Sequence, residues 1–301
     1  MNKIPVGKTI AYAYAFTFGN LGTVIGIVWL PLAVWLVAAY FLFAPVFGVL
    51  LTMVASGGQP SPQEIMPLVG QLLLGILIFV LVSWLMGAMI AAGLTRAALG
   101  LGGGGPVYFS VARPVWLMVG ALFIVFIINL VVQVLIGIVQ LAVTAGLTAS
   151  SGDAGVVALV RPFVDIIGFV VSYYISLRLS FLLAAVTVAE NKIDVKRAWD
   201  LSLGNVWRIV GVFLGMFIPV GIAFGLIIIA LIMAFAPNLP PYVPGSPPSP
   251  EAIRNYFASI PMEFWIGLGV VVILYTIIAS AMQYGAGAFA YRALVPPSGE
   301  T

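Results

Sequence analysis

Long apolar stretches follow one another along almost the whole chain, with short polar segments between them. The stretches cover residues 21–55, 66–95, 115–148, about 160–186, about 209–236 and 264–291. A helix of about 20 apolar residues crosses the ~30 Å hydrocarbon layer of a bilayer, and each stretch exceeds that length. The pattern therefore predicts an all-α integral membrane protein with six transmembrane helices, the first of them interrupted by Pro31 and Pro45.

The composition narrows the function classes. Of the 301 residues, 63% are hydrophobic and 7% are charged, whereas a soluble globular protein carries roughly 25% charged residues. This excludes a soluble domain, a nucleic-acid-binding protein and a disordered chain. The chain has no Cys and no His, which removes disulfides, thiolate nucleophiles, the usual zinc ligands and the commonest general base. We expect no cofactor, no metal and no catalytic residues.

The basic residues predict the orientation of the chain. Cytoplasmic loops carry an excess of Lys and Arg near the ends of the spans. Of the 12 Lys and Arg residues, Arg161 and Arg254 fall on one side of the predicted spans, and the other ten fall on or near the opposite side. We therefore expect a multi-pass protein of a bacterial inner membrane with both termini in the cytoplasm. The ten residues of the cytoplasmic side are Lys3, Lys8, Arg96, Arg113, Arg178, Lys192, Lys196, Arg197, Arg208 and Arg292.

Self-comparison of the sequence indicates a threefold repeat. Residues 13–28 align without gaps on residues 198–213, and residues 107–122 form a weaker third copy. Fixed spacing of this kind is typical of repeated structural units, although apolar segments also align by chance. The positions that the copies share are Ala13/Ala198, Gly19/Gly204, Asn20/Asn205 and Gly26/Gly211, with Gly120 opposite Gly26 in the third copy.

Each unit of the repeat is predicted to be an in-plane cytoplasmic helix followed by a two-helix hairpin. The units cover residues 1–105, 106–190 and 191–301 of one membrane domain. Two crossings return the chain to the same side, so the units share one orientation and are related by an axis along the membrane normal. The second span of each unit ends near an arginine: Arg96, Arg178 and Arg292.

Two segments are predicted to lie at the membrane surface. Residues 191–204 have the pattern of an amphipathic helix, with Asn191 as its cap and Lys196, Arg197 and Asp200 on one face; a cytoplasmic linker helix is the alternative. Basic residues on such a helix point toward anionic lipid. Residues 1–20 form an interfacial segment whose aromatic residues are typical of the belt at the headgroup level: Tyr12, Tyr14, Phe16 and Phe18.

The stretch from Arg178 to Gly211 resembles a family of membrane domains. It contains Glu190-Asn191-Lys192, Ala198-Trp199, Ser202 and Gly204-Asn205-Val206-Trp207-Arg208. In this pattern it is similar to the membrane domain of glycerophosphodiester phosphodiesterases and to related uncharacterised bacterial inner-membrane proteins. The resemblance implies a membrane fold but no phosphodiesterase activity, because the catalytic barrel of that family is a separate soluble domain that this chain does not contain.

Polar residues inside the predicted spans are candidates for function, because ionisable groups in a bilayer are costly. Arg161 and Asp165 are four residues apart and can form a pair on one helix face. Gln133 and Gln140 could line a modest polar path. Arg178 could reach a lipid phosphate, or meet Glu190 or Asp200. The residues expected at lipid headgroups are Arg96, Arg178, Lys192, Lys196, Arg197, Arg208 and Arg292.

The sequence favours a non-enzymatic function over two alternatives. The leading hypothesis is an organising, assembly or partner subunit that contacts anionic lipid headgroups and other membrane proteins, and no nucleic acid. A transporter or lipid-handling protein with a cavity along the pseudo-threefold axis is the first alternative, although few polar residues are present to bind a hydrated solute. An interfacial enzyme that uses carboxylates such as Glu190 and Asp200 is the second.

Overall fold

The computed structural model describes residues 2–56, 62–102, 112–151, 154–235 and 259–295. Within these ranges the chain is helical, with short turns and no β-strand. The helices of this part of the chain are α1 (Val6–Gly19), α2 (Leu21–Ser56), α3 (Pro62–Ala98), α4 (Arg113–Ser151), α5 (Ala154–Glu190), α6 (Val195–Ser202), α7 (Val206–Phe235) and α8 (Met262–Leu294).

The prediction of six membrane-spanning helices is confirmed as far as length and composition can show it. Six helices in the described residues are long and apolar enough to cross a membrane. Pro31 and Pro45 both lie inside the continuous helix α2 rather than between two helices. The candidate spans are Leu21–Val46, Val69–Ala98, Arg113–Ser150, Gly155–Glu190, Val206–Phe235 and Met262–Leu294.

Helix packing follows the order of the chain. Helix α2 packs on α3, α4 on α5, and α7 on α8. The second helix of each pair contacts the other two second helices, so that α3, α5 and α8 meet one another. Each of these three also touches the first helix of the next pair: α3 touches α4, α5 touches α7, and α8 touches α2. The short helices are added on the outside, with α1 on α7 and α8 and with α6 on α5.

Small residues allow the second helices to approach each other closely. Ala286 and Ala288 of α8 and Ala88 of α3 are fully buried. A Cβ added at Gly287 would lie 2.6 Å from the backbone oxygen of Phe181 in α5. A backbone atom cannot move aside as a side chain can, so a side chain at this position would push α5 and α8 apart. The contact between α5 and α8 is therefore close-packed.

Helix α1 is part of the packed protein rather than an aromatic belt. Phe16 is buried, and the hydroxyl groups of Tyr12 and Tyr14 donate to the backbone oxygens of Ala98 and Met216 at 2.7 and 3.1 Å. Among the four aromatic residues predicted for the belt, Phe18 is the one that is largely exposed.

The prediction that Arg178 lies near the end of its span is wrong. Arg96 and Arg292 do lie in the last turns of α3 and α8, but α5 continues to Glu190, about three turns beyond Arg178. The reason is that the residues that follow Arg178 are apolar and buried against the other helices, including Phe181, Leu182 and Leu183, so the helix continues through this core.

Some predictions fall outside the described residues. They concern the first five residues of the third repeat copy (residues 107–111), the boundary between the units at 105/106, and Arg254.

Candidate functional site

The predicted cytoplasmic segments meet at one end of the helix bundle, which we call the basic end. Asn2 lies close to the end of α8, where its side-chain amide donates to the Leu294 oxygen at 3.5 Å. Tyr12 of α1 bonds to Ala98 at the end of α3. A Cβ at Gly120 of α4 would lie 2.7 Å from the side chain of Ile193 in the turn before α6. Both ends of the described chain, the starts of α4 and α7, and helix α6 therefore share one end of the molecule.

Four residues, 191–194, separate the end of α5 at Glu190 from the start of α6 at Val195. Asn191 adopts a left-handed conformation with φ 51°, which asparagine tolerates better than most residues. Asp194 then caps the helix, because its carboxylate accepts the backbone N–H of Arg197 at 2.8 Å. The predicted helix at 191–204 is therefore shorter, at Val195–Ser202, and its cap is Asp194 rather than Asn191. A side-chain oxygen here satisfies a backbone donor that has no partner within the helix.

Arg178 fastens α6 onto α5. Its Nε donates to Ser202 Oγ at 3.1 Å, its Nη2 donates to the Trp199 backbone oxygen at 3.0 Å, and its Nη1 donates to Tyr174 Oη at 3.2 Å. The guanidinium carbon lies 3.6 Å from the centroid of the Trp199 ring, a favourable cation–π geometry. Arg178 is 5% exposed, so its charged group interacts with the protein rather than with the surroundings. Its partners are Tyr174, Trp199 and Ser202, in place of the lipid phosphate, Glu190 or Asp200 that the sequence suggested.

Glu190 organises the charged side chains between α5, α6 and α8. Its carboxylate lies 3.3 Å from Lys192 Nζ and 3.5 Å from Arg197 Nε. The hydroxyl of Tyr291 in α8 donates to the same carboxylate at 3.2 Å. Lys192 also pairs with Asp194 at 3.0 Å. Two cations and a hydroxyl thus surround the Glu190 carboxylate, and the cluster ties the α5–α6 turn to α8.

The pKa values of two residues in the turn shift in the directions that this cluster requires. The backbone N–H of Arg197 and the ammonium group of Lys192 lower the pKa of Asp194 below 3.8. Hydrogen bonds to Asp194 and Glu190 raise the pKa of Lys192 above 10.5. Each group is therefore held in its charged form over the physiological pH range.

The N-terminal segment is bound by the turn between α6 and α7. The backbone N–H of the fully buried Ile4 donates to Asn205 Oδ1 at 3.0 Å. The backbone oxygen of Ile4 accepts a hydrogen bond from Arg208 Nη1 at 2.9 Å. Gly204 has φ 74°, a conformation that favours glycine and turns the chain out of α6. Asn205 and Arg208 thus satisfy both backbone polar groups of one buried residue.

Asn20 and Asn205, which the sequence alignment pairs, make similar local hydrogen bonds. Each stands directly before a long helix, and its backbone oxygen accepts the N–H four residues later. The side-chain amide of Asn20 donates back to the Phe16 oxygen at 3.1 Å, and that of Asn205 donates back to the Leu201 oxygen at 3.5 Å. These acceptors are aligned with each other in the repeat. Two further aligned pairs, Ala13/Ala198 and Thr17/Ser202, are buried.

The glycine positions of the repeat differ in their surroundings. Gly26 is buried, and a Cβ at Gly211 would lie 3.6 Å from Val6 of the N-terminal segment. Gly19 ends α1 with open space where its Cβ would be. Gly120 and Gly211 therefore lie against side chains of other segments, whereas Gly19 does not.

Arg292 and Arg96 lie close to the turn that follows α3. Arg292 Nη2 donates to the Ala98 backbone oxygen at 3.0 Å, which links α8 to α3. Arg96 is half-buried, and its Nε lies buried without a hydrogen-bond partner among the described residues. Arg292 thus helps to close the bundle between α8 and α3.

Several cations of the basic end remain at the surface. Lys3, Lys8, Arg113 and Lys196 are exposed. No carboxylate in the described part of the chain forms an ion pair with any of them. Trp207, at the start of α7, is 86% exposed. Exposed cations and an exposed tryptophan at the same end of a helix bundle are typical of a surface at the membrane headgroups.

A second polar feature runs between α4 and α5, away from the basic end. Ser176 donates to Asn129 Oδ1 at 2.6 Å, Gln133 donates to Ser172 at 2.7 Å, and Gln140 donates to Asp165 at 3.1 Å. We call these three bonds the polar ladder. Beyond them, Arg161 approaches Asp165 to 4.0 Å. The predicted pairing of Arg161 with Asp165 is therefore present, although at the limit of an ion pair.

The polar ladder borders a groove on the surface of the two helices. The groove has a volume of about 370 Å³ and is lined by Gln133, Gln140, Asp165 and Ser172 together with apolar neighbours such as Phe169. A second hollow of about 290 Å³ continues it past Arg161 and shares Gln140 and Asp165 with it.

The residues that sequence reasoning missed are the partners of the charged groups. The contacts that were not predicted are those of Arg178 with Tyr174 and Ser202, and that of Glu190 with Tyr291. Among the described residues no group of three or more carboxylates is arranged to hold a metal ion. Comparison of the chain with known protein families, with curated protein sequences and with solved structures found no match.

Proposed function

We propose that this protein is a non-enzymatic, multi-pass subunit of a bacterial inner membrane that organises or assembles membrane components. In this proposal its basic end faces the cytoplasm and contacts anionic lipid headgroups, and its membrane-embedded faces contact other membrane proteins. The proposal rests on one observation: some basic residues of the basic end bond to other parts of the protein, whereas others are exposed at its surface.

One group of basic residues forms hydrogen bonds within the protein. Arg178, Arg208 and Arg292 each donate to backbone oxygens of other segments. They fix α6, the N-terminal segment and the end of α3 in place. The exposed cations Lys3, Lys8, Arg113 and Lys196 are then displayed on a rigid surface. Each Lys or Arg near an anionic membrane surface contributes about 1 kcal/mol to binding.

The helix contacts support the proposal of three tandem hairpins with in-plane cytoplasmic helices. The cyclic order of contacts is what a pseudo-threefold axis along the membrane normal would produce. Asn20 and Asn205 each donate from the side-chain amide to the backbone oxygen four residues earlier, and this similarity supports the repeat independently. We also keep the resemblance to the membrane domain of glycerophosphodiester phosphodiesterases as a proposal, and the contacts among Arg178, Trp199 and Ser202 give its motif a structural role.

The packing favours an organising role over a transport path along the axis. The helices α3, α5 and α8 would line such a path, and α5 and α8 touch at Gly287 with no space for a side chain. A hydrated solute needs polar groups along its route, whereas this contact is formed by apolar residues and backbone.

The test is retention of anionic lipid by the purified protein. Lipid bound to the protein in mild detergent is measured by native mass spectrometry for the wild type and for the triple variant Lys3→Gln, Lys8→Gln, Lys196→Gln. We expect the triple variant to retain several-fold less anionic lipid, and equal amounts of zwitterionic lipid. Glu263→Gln, an exposed position at the opposite end of α8, is the control and should retain wild-type amounts. Equal retention of anionic lipid by the triple variant would contradict the proposal.

A further inference from the structure

The halves of α4 and α5 that point away from the basic end carry a polar face that the described structure leaves uncovered. The side chains of Arg161 and Asp165 are 71% and 54% exposed. Gln133 of α4 is exposed as well. All three lie within helices long and apolar enough to span a membrane.

This face is costly if it meets lipid. A charged or strongly polar side chain within a bilayer normally faces a partner, a protein interior or water. Each glutamine of the polar ladder uses one N–H in the hydrogen bond to α5, while a glutamine amide can make four hydrogen bonds. The groove along the ladder therefore presents both unspent hydrogen-bonding capacity and two opposite charges.

We propose that this groove is the contact surface for a second copy of the same chain. Arg161 and Asp165 are one turn apart on α5, about 6 Å along the helix, and they carry opposite charges. In a dimer with a two-fold axis along the membrane normal, residue i contacts residue j and residue j contacts residue i. Arg161 of each protomer then faces the partner's Asp165, so two ion pairs form across the interface.

The charge pattern selects a second copy over other occupants. In contact with a basic helix of another protein, Arg161 would gain no intermolecular partner, and in contact with an anionic lipid Asp165 would gain none. A copy of the same face supplies both complements at once. Nor does the groove lead between the helices: a Cβ at Gly168 would lie 2.7 Å from the Ile136 side chain, so α4 and α5 touch behind it.

The inference deepens the proposed function, on which it rests, by naming one protein that this subunit binds. The two can fail separately. Loss of anionic lipid retention is measured at the basic end, whereas the dimer is measured at the α4–α5 groove.

The first experiment is disulfide crosslinking in native membranes, for which the chain is suited because it has no cysteine. Phe169→Cys places one thiol in the groove, at a residue that is 69% exposed. Ile222→Cys places one on α7, at a residue that is 59% exposed, as the control. We expect a covalent dimer of Phe169→Cys at twice the 31.8 kDa mass, and at least about tenfold less dimer from Ile222→Cys. Equal yields, no dimer, or a crosslink to a different protein would overturn the inference.

The second experiment exchanges the charges. Phe169→Cys is combined with Arg161→Asp in one tagged chain and with Asp165→Arg in another. Each chain alone juxtaposes like charges in its homodimer, and such contacts cost several kcal/mol, so the homodimer yield should fall at least about tenfold. Co-expression should restore the crosslink between the two tags, because each charge then meets its opposite. Restoration also shows that both variants fold. Homodimers at wild-type yield, or no heterodimer where both chains retain wild-type unfolding midpoints, would overturn the inference.

Discussion

Arg178 shows how a single residue can decide the shape of the basic end. A buried guanidinium is costly unless its donors are satisfied, and all three of its nitrogen atoms have partners here. The partners come from α5 itself and from the second half of α6, so the arginine defines where α6 lies. A lysine cannot reproduce this arrangement, because it has one nitrogen and no planar face to stack on Trp199.

We predict that Arg178→Gln lowers the free energy of unfolding by roughly 3 kcal/mol, the scale expected for removing a buried, hydrogen-bonded charge. Arg178→Lys should recover only part of the loss. Thermal unfolding in detergent, followed by tryptophan fluorescence, measures the effect. Arg113→Gln is the matched control at an exposed position of the same end. An Arg178→Gln variant as stable as Arg113→Gln would show that the Arg178 contacts contribute little.

The two repeat asparagines provide a paired prediction. Asn205→Ala removes the acceptor of the buried Ile4 N–H, and an unsatisfied buried donor costs about 1–3 kcal/mol. Asn20→Ala removes a bond within its own segment, so its effect on unfolding should be smaller. Asn205→Ala should also speed proteolysis near the N-terminus. The result that argues against this role is equal protection of the N-terminal segment in both variants.

At the scale of elements, the stability of α6 comes from its contacts with neighbouring residues more than from its length. A helix of eight residues is marginal by itself. It is held by the Asp194 cap, by Arg178 beneath it and by Glu190 beside it. The strongly one-sided sequence of α6 keeps Lys196 at the surface and Ala198 buried.

The cap gives α6 a pH dependence. Because the folded state lowers the pKa of Asp194 below 3.8, its stabilising effect is full above that value and is lost as the pH falls through the lowered pKa. Asp194→Asn keeps a capping oxygen and should remove this acid-dependent loss, whereas Asp194→Ala should loosen α6 at every pH. Hydrogen exchange of the α6 amides between pH 3 and pH 7 measures both. Identical exchange in the wild type and Asp194→Ala would contradict the assigned cap.

The extent of the long helices was predictable from sequence, and the bounds of the short ones were not. A long apolar run has one stable arrangement in a bilayer, so the number of spans follows from local composition. The start of α6 depends on which residue caps it, Asn191 or Asp194. Asp194 is the cap in the structure, and its side chain is held by Lys192, which also pairs with Glu190. These residues belong to the same turn, but Tyr291, which completes the cluster, is distant in sequence.

The same limit applies to the candidate sites. The pairing of Arg161 with Asp165 followed from helical spacing. The partners of Arg178 did not, because a lipid phosphate, a carboxylate and an aromatic ring are all plausible for an arginine near an interface. Which cations are spent inside the protein is a property of the tertiary contacts, and the sequence pattern does not contain it.

At the scale of the whole molecule, the two ends of the bundle differ in what they display. The basic end combines a fixed turn structure with exposed lysines, while Glu263 and the exposed Arg161–Asp165 pair lie toward the other end. This asymmetry underlies both proposals, since lipid binding uses one end and the second copy uses a face away from it. The sidedness of the chain is thus the premise that most needs a direct measurement.

That measurement is thiol labelling of single-cysteine variants in intact cells with a membrane-impermeant maleimide. Lys196→Cys reports on the basic end and Glu263→Cys on the opposite end, and the chain contributes no cysteine of its own. We predict that Glu263→Cys is labelled in intact cells, and that Lys196→Cys is labelled only after the inner membrane is opened. Labelling of Lys196→Cys in intact cells, with protection of Glu263→Cys, would contradict a cytoplasmic basic end.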